Sequence, residues 1–170
     1  MAKQFFKVHN TQSNGTDLFR KMIYIDGMEV TFQITNTSLL QVYGHCNLEH
    51  RNLVTPPVTK PWNGAVMWAM RVGIRGPKPS PSWSAPSSLP PPTWITGAKM
   101  GANILNRAQH YATGEFQAAK VLTKAGYYRI ELWGRSASTL SNLDGLIQVL
   151  RSKSPKDPAN QMIVLVDDYP

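Results

Sequence analysis

Apolar and polar residues alternate along several stretches of the chain, and these read as strands. Val30, Phe32 and Ile34 fall on one side of a run whose other side carries Thr31, Gln33 and Thr35, the period of a half-buried antiparallel strand. Met22–Ile25 precedes it, and the intervening Asp26-Gly27 predicts a hairpin turn. Gln4–His9 alternates weakly around Phe6 and Val8, and Ser38–Tyr43 fits a strand or a short helix. Further on, Val66, Trp68, Met70, Val72 and Ile74 line one face of a buried strand. Tyr128, Ile130 and Leu132 do the same within Tyr127–Trp133, and Met162–Val166 is a short buried strand. Between them the period changes. Ile104, Leu105, Ala108, Ala112, Phe116, Ala119 and Leu122 are spaced as one helix face over Thr96–Ala125, with Gly114 a break point and Gly126 a C-cap. Ser138 or Thr139 caps a second helix bearing Leu140, Leu143, Leu146, Ile147 and Leu150, stopped by Pro155 and Pro158. The expected class is α+β: an antiparallel sheet in the N-terminal half with helices packed on it.

Two stretches escape both periods. Asn10–Thr16 is a polar loop, and Gly44–Gly64 is irregular, because Pro56, Pro57 and Pro61 block helix and central strand alike. Residues 76–94 hold Pro77, Pro79, Pro81, Pro86, Pro90, Pro91 and Pro92 among five serines. Such a segment is extended and runs over the surface. It also carries Trp83, Leu89 and Trp94, and a bare linker has no use for two tryptophans. It is therefore an arm that docks, either on its own domain or on another copy or a host protein, through Trp83, Leu89, Pro91, Pro92 and Trp94. The chain of 170 residues is expected to be one domain, 1–170, with 76–94 as an arm within it.

Charge sharpens this picture. Charged residues are 16% of the chain, below the usual level of about 25%, and the net charge is +8. Residues 1–49 balance, whereas residues 50–114 hold Arg51, Lys60, Arg71, Arg75, Lys78, Lys99 and Arg107 with no acid. An uncompensated basic field draws polyanions, either nucleic acid or an anionic membrane surface. The longest uncharged apolar run, Ala65–Met70, is far short of the ~20 residues a spanning helix needs, so a transmembrane protein is excluded. The N-terminus lacks the apolar stretch of a signal peptide, and the single cysteine, Cys46, forms no internal disulfide, which points to a reducing compartment.

Catalytic patterns are absent or incomplete. Gly73-Ile74-Arg75-Gly76-Pro77 matches no nucleotide-binding loop, and Thr96–Gly101 offers only a phosphate-friendly helix start. His45, Cys46 and His50 fall short of a zinc set, which takes four ligands, or three and a water. His110 and Glu115 lie on mismatched helix faces. Asp167-Asp168 with Glu131 lacks the lysine of a two-metal nuclease. No catalytic residue, metal or cofactor is expected.

Two short pieces match known tetrapeptides in all but one position. Trp83-Ser84-Ala85-Pro86 is similar to the Pro-Ser/Thr-Ala-Pro late-domain motif, and Pro91-Pro92-Thr93-Trp94 to Pro-Pro-x-Tyr. With its size and basic balance, the chain resembles the small matrix proteins of rhabdoviruses, including plant-infecting ones. That resemblance implies a non-enzymatic viral structural protein of the virion and host cytoplasm. It implies a homo-oligomer that binds nucleocapsid or RNA and the anionic inner leaflet of a membrane. A coat protein forming a closed shell and a metal-dependent nucleic-acid-processing enzyme are the alternatives.

Overall fold

The computed structural model describes residues 3–9, 16–50, 64–95, 99–105, 111–138, 147–149 and 160–169. Their strands are β1 (Gln4–His9), β2 (Thr16–Leu18), β3 (Ile23–Ile34), β4 (Ser38–His50), β5 (Gly64–Lys78), β6 (Thr93–Trp94), β7 (Lys99–Leu105), β8 (Tyr111–Leu122), β9 (Gly126–Ser138), β10 (Ile147–Val149) and β11 (Asn160–Asp168). The one helical turn among these residues is the 3₁₀ turn Pro86–Ser88. Every strand pair is antiparallel.

The strands form two sheets. In the first, β1, β11, β4 and β8 lie side by side, with β10 continuing beside the far end of β4 and β2 beside β10. The second runs β3, β9, β5, with β7 and the short β6 sharing the free edge of β5. Along the chain the long strands visit first, second, first, second, second, first, second, first sheet. That order, β1-β11-β4-β8 against β3-β9-β5-β7, is the eight-stranded jelly roll.

The inner faces close on each other. Leu40, Val42, Cys46, Leu48, Phe116, Met162, Val164 and Val166 come from the first sheet. They meet Val30, Phe32, Trp68, Met70, Val72, Ile74, Ile130 and Leu132 from the second. Each fully buried aliphatic side chain stabilises the sandwich by about 1.5–3 kcal/mol. Phe32 stacks on Tyr128 with ring centroids 5.9 Å apart. Gly114 makes room for Trp68, whose Nε1 would lie 3.0 Å from a Cβ there.

The α+β expectation is overturned. The Thr96–Ala125 helix is replaced by β7 and β8, and strands fill both halves of the chain. Ile104, Ala108, Ala112 and Phe116 are four apart, a spacing that both a helix and a strand place on one face. The polar positions decide. Gly114, Phe116, Ala118 and Leu122 are buried while Thr113, Glu115, Gln117, Ala119 and Val121 are exposed, and β4 pairs with β8 over its whole length. Of the second expected helix, Ile147–Val149 is strand; Leu140, Leu143, Leu146 and Leu150 lie outside the described residues. Asp26-Gly27 is no hairpin. β3 runs through it, Gly27 has φ 77°, and the pairing with β9 slips between Tyr24 and Glu29, which is a bulge. Ser38–Tyr43 is strand, and β4 carries on to His50, shortening the irregular stretch.

Candidate interaction surface

In β9 the inward positions are Tyr128, Ile130 and Leu132, so Arg129, Glu131, Trp133 and Arg135 share the outward face. Register places Arg75 beside Arg129, Gly73 beside Glu131 and Arg71 beside Trp133 on the neighbouring β5. These outward residues would normally be solvated. Instead Arg129, Glu131 and Trp133 are buried, because residues 79–92 cross this face between β5 and β6.

The arm is fastened at points spread along its length. Arg129 donates from Nη1 to the carbonyl of Ser84 at 2.7 Å, and Arg75 donates from Nη2 to that of Pro90 at 2.6 Å. Both arginines converge on one carboxylate oxygen of Glu131. Arg75 Nε and Arg129 Nε each reach Oε1 at 2.7 Å, with Arg129 Nη2 at 2.6 Å. The other oxygen, Oε2, accepts from Trp133 Nε1 at 2.9 Å. Glu131 is 0% exposed; the ionised carboxylate is tolerable there because both oxygens accept charge-assisted or indole donors. Glu29 lies 3.7 Å from Arg129. Burial pushes its carboxyl up, Glu131 adds to the rise, and Arg129 opposes it.

Aromatic contacts complete the seal. Trp83 lies between the Lys78 ammonium, 4.3 Å from its ring centroid, and the Arg129 guanidinium at 5.1 Å. Trp94 stands edge-on to Trp133 with centroids 6.0 Å apart, and Arg71 covers its ring at 4.7 Å. Pro92 is buried against Gly73, where a Cβ would come within 2.1 Å of its Cγ.

The sequence-predicted residues therefore divide. Arg71, Arg75 and Lys78 come together here with Trp83, Pro92 and Trp94, while Leu89 is half-buried and Pro91 exposed. Arg75 is spent on Glu131 and the Pro90 carbonyl. Lys99 lies on β7, and Arg51, Lys60 and Arg107 lie outside the described residues. Glu131, Arg129, Trp133 and Arg135 were missed as a group. Their signal was present: if Ile130 and Leu132 face the core, the residues between them share the opposite face.

The remaining chemistry candidates stay apart. His45 and Cys46 are neighbours on β4 and point to opposite sides, with Cys46 in the core and its thiol pushed far up by burial. Asp167 pairs with Lys3 at 3.1 Å in the first sheet, away from Glu131 in the second. Among the described residues no group of three metal-ligating side chains occurs, and no helix is long and apolar enough to cross a membrane. His110 lies outside them.

The outward face of the first sheet has a different character. Phe5, Tyr43 and Val121 are 59%, 43% and 38% exposed there, with Leu39, Ile163 and Leu165 half-buried among them.

No family model and no curated protein matches the chain. Among solved structures it is similar to dimeric latent PorU from Porphyromonas gingivalis, at 8% identity and TM-score 0.43, covering 98% of this chain and 13% of that one. It is similar to the T13 viral particle of IBDV, at 9% identity and TM-score 0.40, covering 97% and 35%. For the Gt strain of infectious bursal disease virus the figures are 9%, 0.40, 99% and 38%. The chain thus spans well under half the length of each of these proteins.

Proposed function

We propose that this protein is a non-enzymatic viral structural protein that self-assembles into a shell and meets a polyanion on one side. The observation carrying this reading is the strand order of a jelly roll; shell proteins are a principal use of that architecture. The outward face of the first sheet supports contact with further copies, since Phe5, Tyr43 and Val121 are exposed there beside half-buried Leu39, Ile163 and Leu165. The net charge of +8 supports a nucleic acid partner, and the virion and host cytoplasm are the locations that a viral structural protein of this kind implies. A shell is preferred to the membrane-bound matrix layer implied by the late-domain-like tetrapeptides. In this fold both of those lie in the arm, pinned to the protein's own sheet through the Ser84 carbonyl, Pro92 and Trp94.

Light scattering after size exclusion, followed by negative-stain microscopy with and without RNA, tests the proposal. Closed particles or large regular assemblies are expected. A monomer at every concentration, salt and RNA level refutes it.

A further inference from the structure

The outward face of the first sheet changes character along its strands. Where β4 begins, Leu39 and Val121 make it apolar. Further along β4, Tyr43 pairs with Gln117, His45 with Glu115 and Asn47 with Thr113 of β8. These six point outward, because Val42, Cys46 and Leu48 of β4 and Phe116 and Ala118 of β8 are taken by the core. Together they line an open groove of about 560 Å³. Tyr43, Thr113, Glu115 and Gln117 are exposed in it, and His45 and Asn47 are half-buried. The Asn47 side chain is held in place, since the Thr113 hydroxyl donates to its Oδ1 at 3.2 Å.

The chemistry of the lining narrows the ligand. Side chains on paired strands stand about 5 Å apart across the pair and about 7 Å apart along each strand, so the groove is a fixed grid of polar groups. Amide and hydroxyl groups both donate and accept, and so does every hydroxyl of a sugar. Tyr43, 43% exposed, adds apolar ring surface with a polar tip, which suits the C–H face of a pyranose. From Tyr43 to Asn47 the strand covers about 14 Å at ~3.4 Å per residue, room for two hexose rings in line. A phosphate or sulfate group calls for fixed cations. Among the described residues lining the groove there is no lysine or arginine, and Glu115 is an acid. A fatty or drug-like ligand calls for a mostly apolar lining, and here one aromatic ring stands among polar side chains.

We propose that this groove binds a neutral disaccharide unit of a glycan. Tyr43 packs on the C–H face of one sugar ring, and Gln117, Glu115, Asn47 and Thr113 hydrogen-bond the hydroxyls. The inference goes beyond the structural-protein reading, because it gives the chain a means of attaching to a glycosylated surface. It needs the groove of a single chain and is therefore read independently of assembly.

The test is saturation-transfer difference NMR on the full chain, which observes the sugar and so works for a monomer or a large assembly. The probes are lactose, cellobiose, chitobiose and mannobiose at millimolar concentration, with sialyllactose as the anionic comparison. At least one neutral disaccharide is expected to receive saturation, strongest at the ring protons of one sugar. Tyr43→Ala and the double variant Glu115→Ala/Gln117→Ala should each weaken that binding roughly tenfold in a sugar titration. Lys124→Ala, exposed in the short loop between β8 and β9, should bind as the parent does. Should Tyr43→Ala fold poorly by circular dichroism, the double variant, confined to exposed side chains, carries the comparison. Absence of saturation in all four neutral disaccharides overturns the proposal, as does binding that the folded variants leave unchanged. Saturation of sialyllactose alone also overturns it. A protein that binds sugar through this groove but never assembles sinks the shell and leaves the site standing.

Discussion

Replacing Glu131 by alanine should loosen the arm and destabilise the whole sandwich. The carboxylate accepts from Arg75 and Arg129 at 2.6–2.7 Å and from Trp133 at 2.9 Å. Its removal leaves Arg129, 3% exposed, and Arg75, 12% exposed, without their shared counter-charge. Breaking a buried pair from one side costs about 3–5 kcal/mol, because the orphaned charge stays desolvated. Glu29, 3.7 Å from Arg129, tempers the loss, so the lower half of that range is expected. For a chain of this size roughly 2–4 °C of melting temperature accompanies each kcal/mol, and the drop should exceed about 6 °C. Urea unfolding followed by far-ultraviolet circular dichroism gives the free energy. Limited proteolysis should show new cuts within residues 79–92, whose carbonyls at Ser84 and Pro90 lose oriented donors. A companion variant, Arg75→Met/Arg129→Met/Glu131→Leu, removes the charges together and should recover most of the loss, since an apolar replacement of a buried ion cluster is often neutral. A loss under about 1 kcal/mol for Glu131→Ala, where breaking such a pair should cost several, would refute the claim that this carboxylate organises the arm.

Gly73→Ala places a methyl within 2.1 Å of Pro92 Cγ. Overpacking of this kind costs about 1–3 kcal/mol, and the same proteolysis assay should show the arm lifted while the inner core stays protected. Cys46 is wholly buried with its thiol far above the ordinary range. A thiol reagent should therefore label it only as fast as the protein unfolds, and prompt labelling of the native protein at neutral pH would contradict that placement.

Several strands were legible because one face alone had to be dry. Val30, Phe32 and Ile34, the Trp68–Ile74 face, and Tyr128, Ile130 and Leu132 all lie inward as their alternation predicts. β8 was not, because its alanines and its spacing of four satisfy a helix as well as a strand. Only the neighbouring β4, paired with it from Ser38–Leu122 to Glu49–Tyr111, makes the extended form the better one. Asp26-Gly27 carried a turn signal that the fold spends as a bulge, since the flanking segments pair with the same strand, β9, and not with each other.

By itself the sequence determined that several segments are strand-like, that a proline-rich arm with two tryptophans must dock, and that positive charge is in excess. Those properties are local: side-chain period, ring-locked φ and formal charge travel with the chain whatever its fold. Tertiary structure decided the sheet order, the seat of the arm, and which cations are spent. Arg75 and Arg71 look alike in the chain, yet Arg75 meets Glu131 across 56 positions of sequence while Arg71 covers the ring of Trp94. No local signal encodes such a meeting, because it depends on which strands become neighbours.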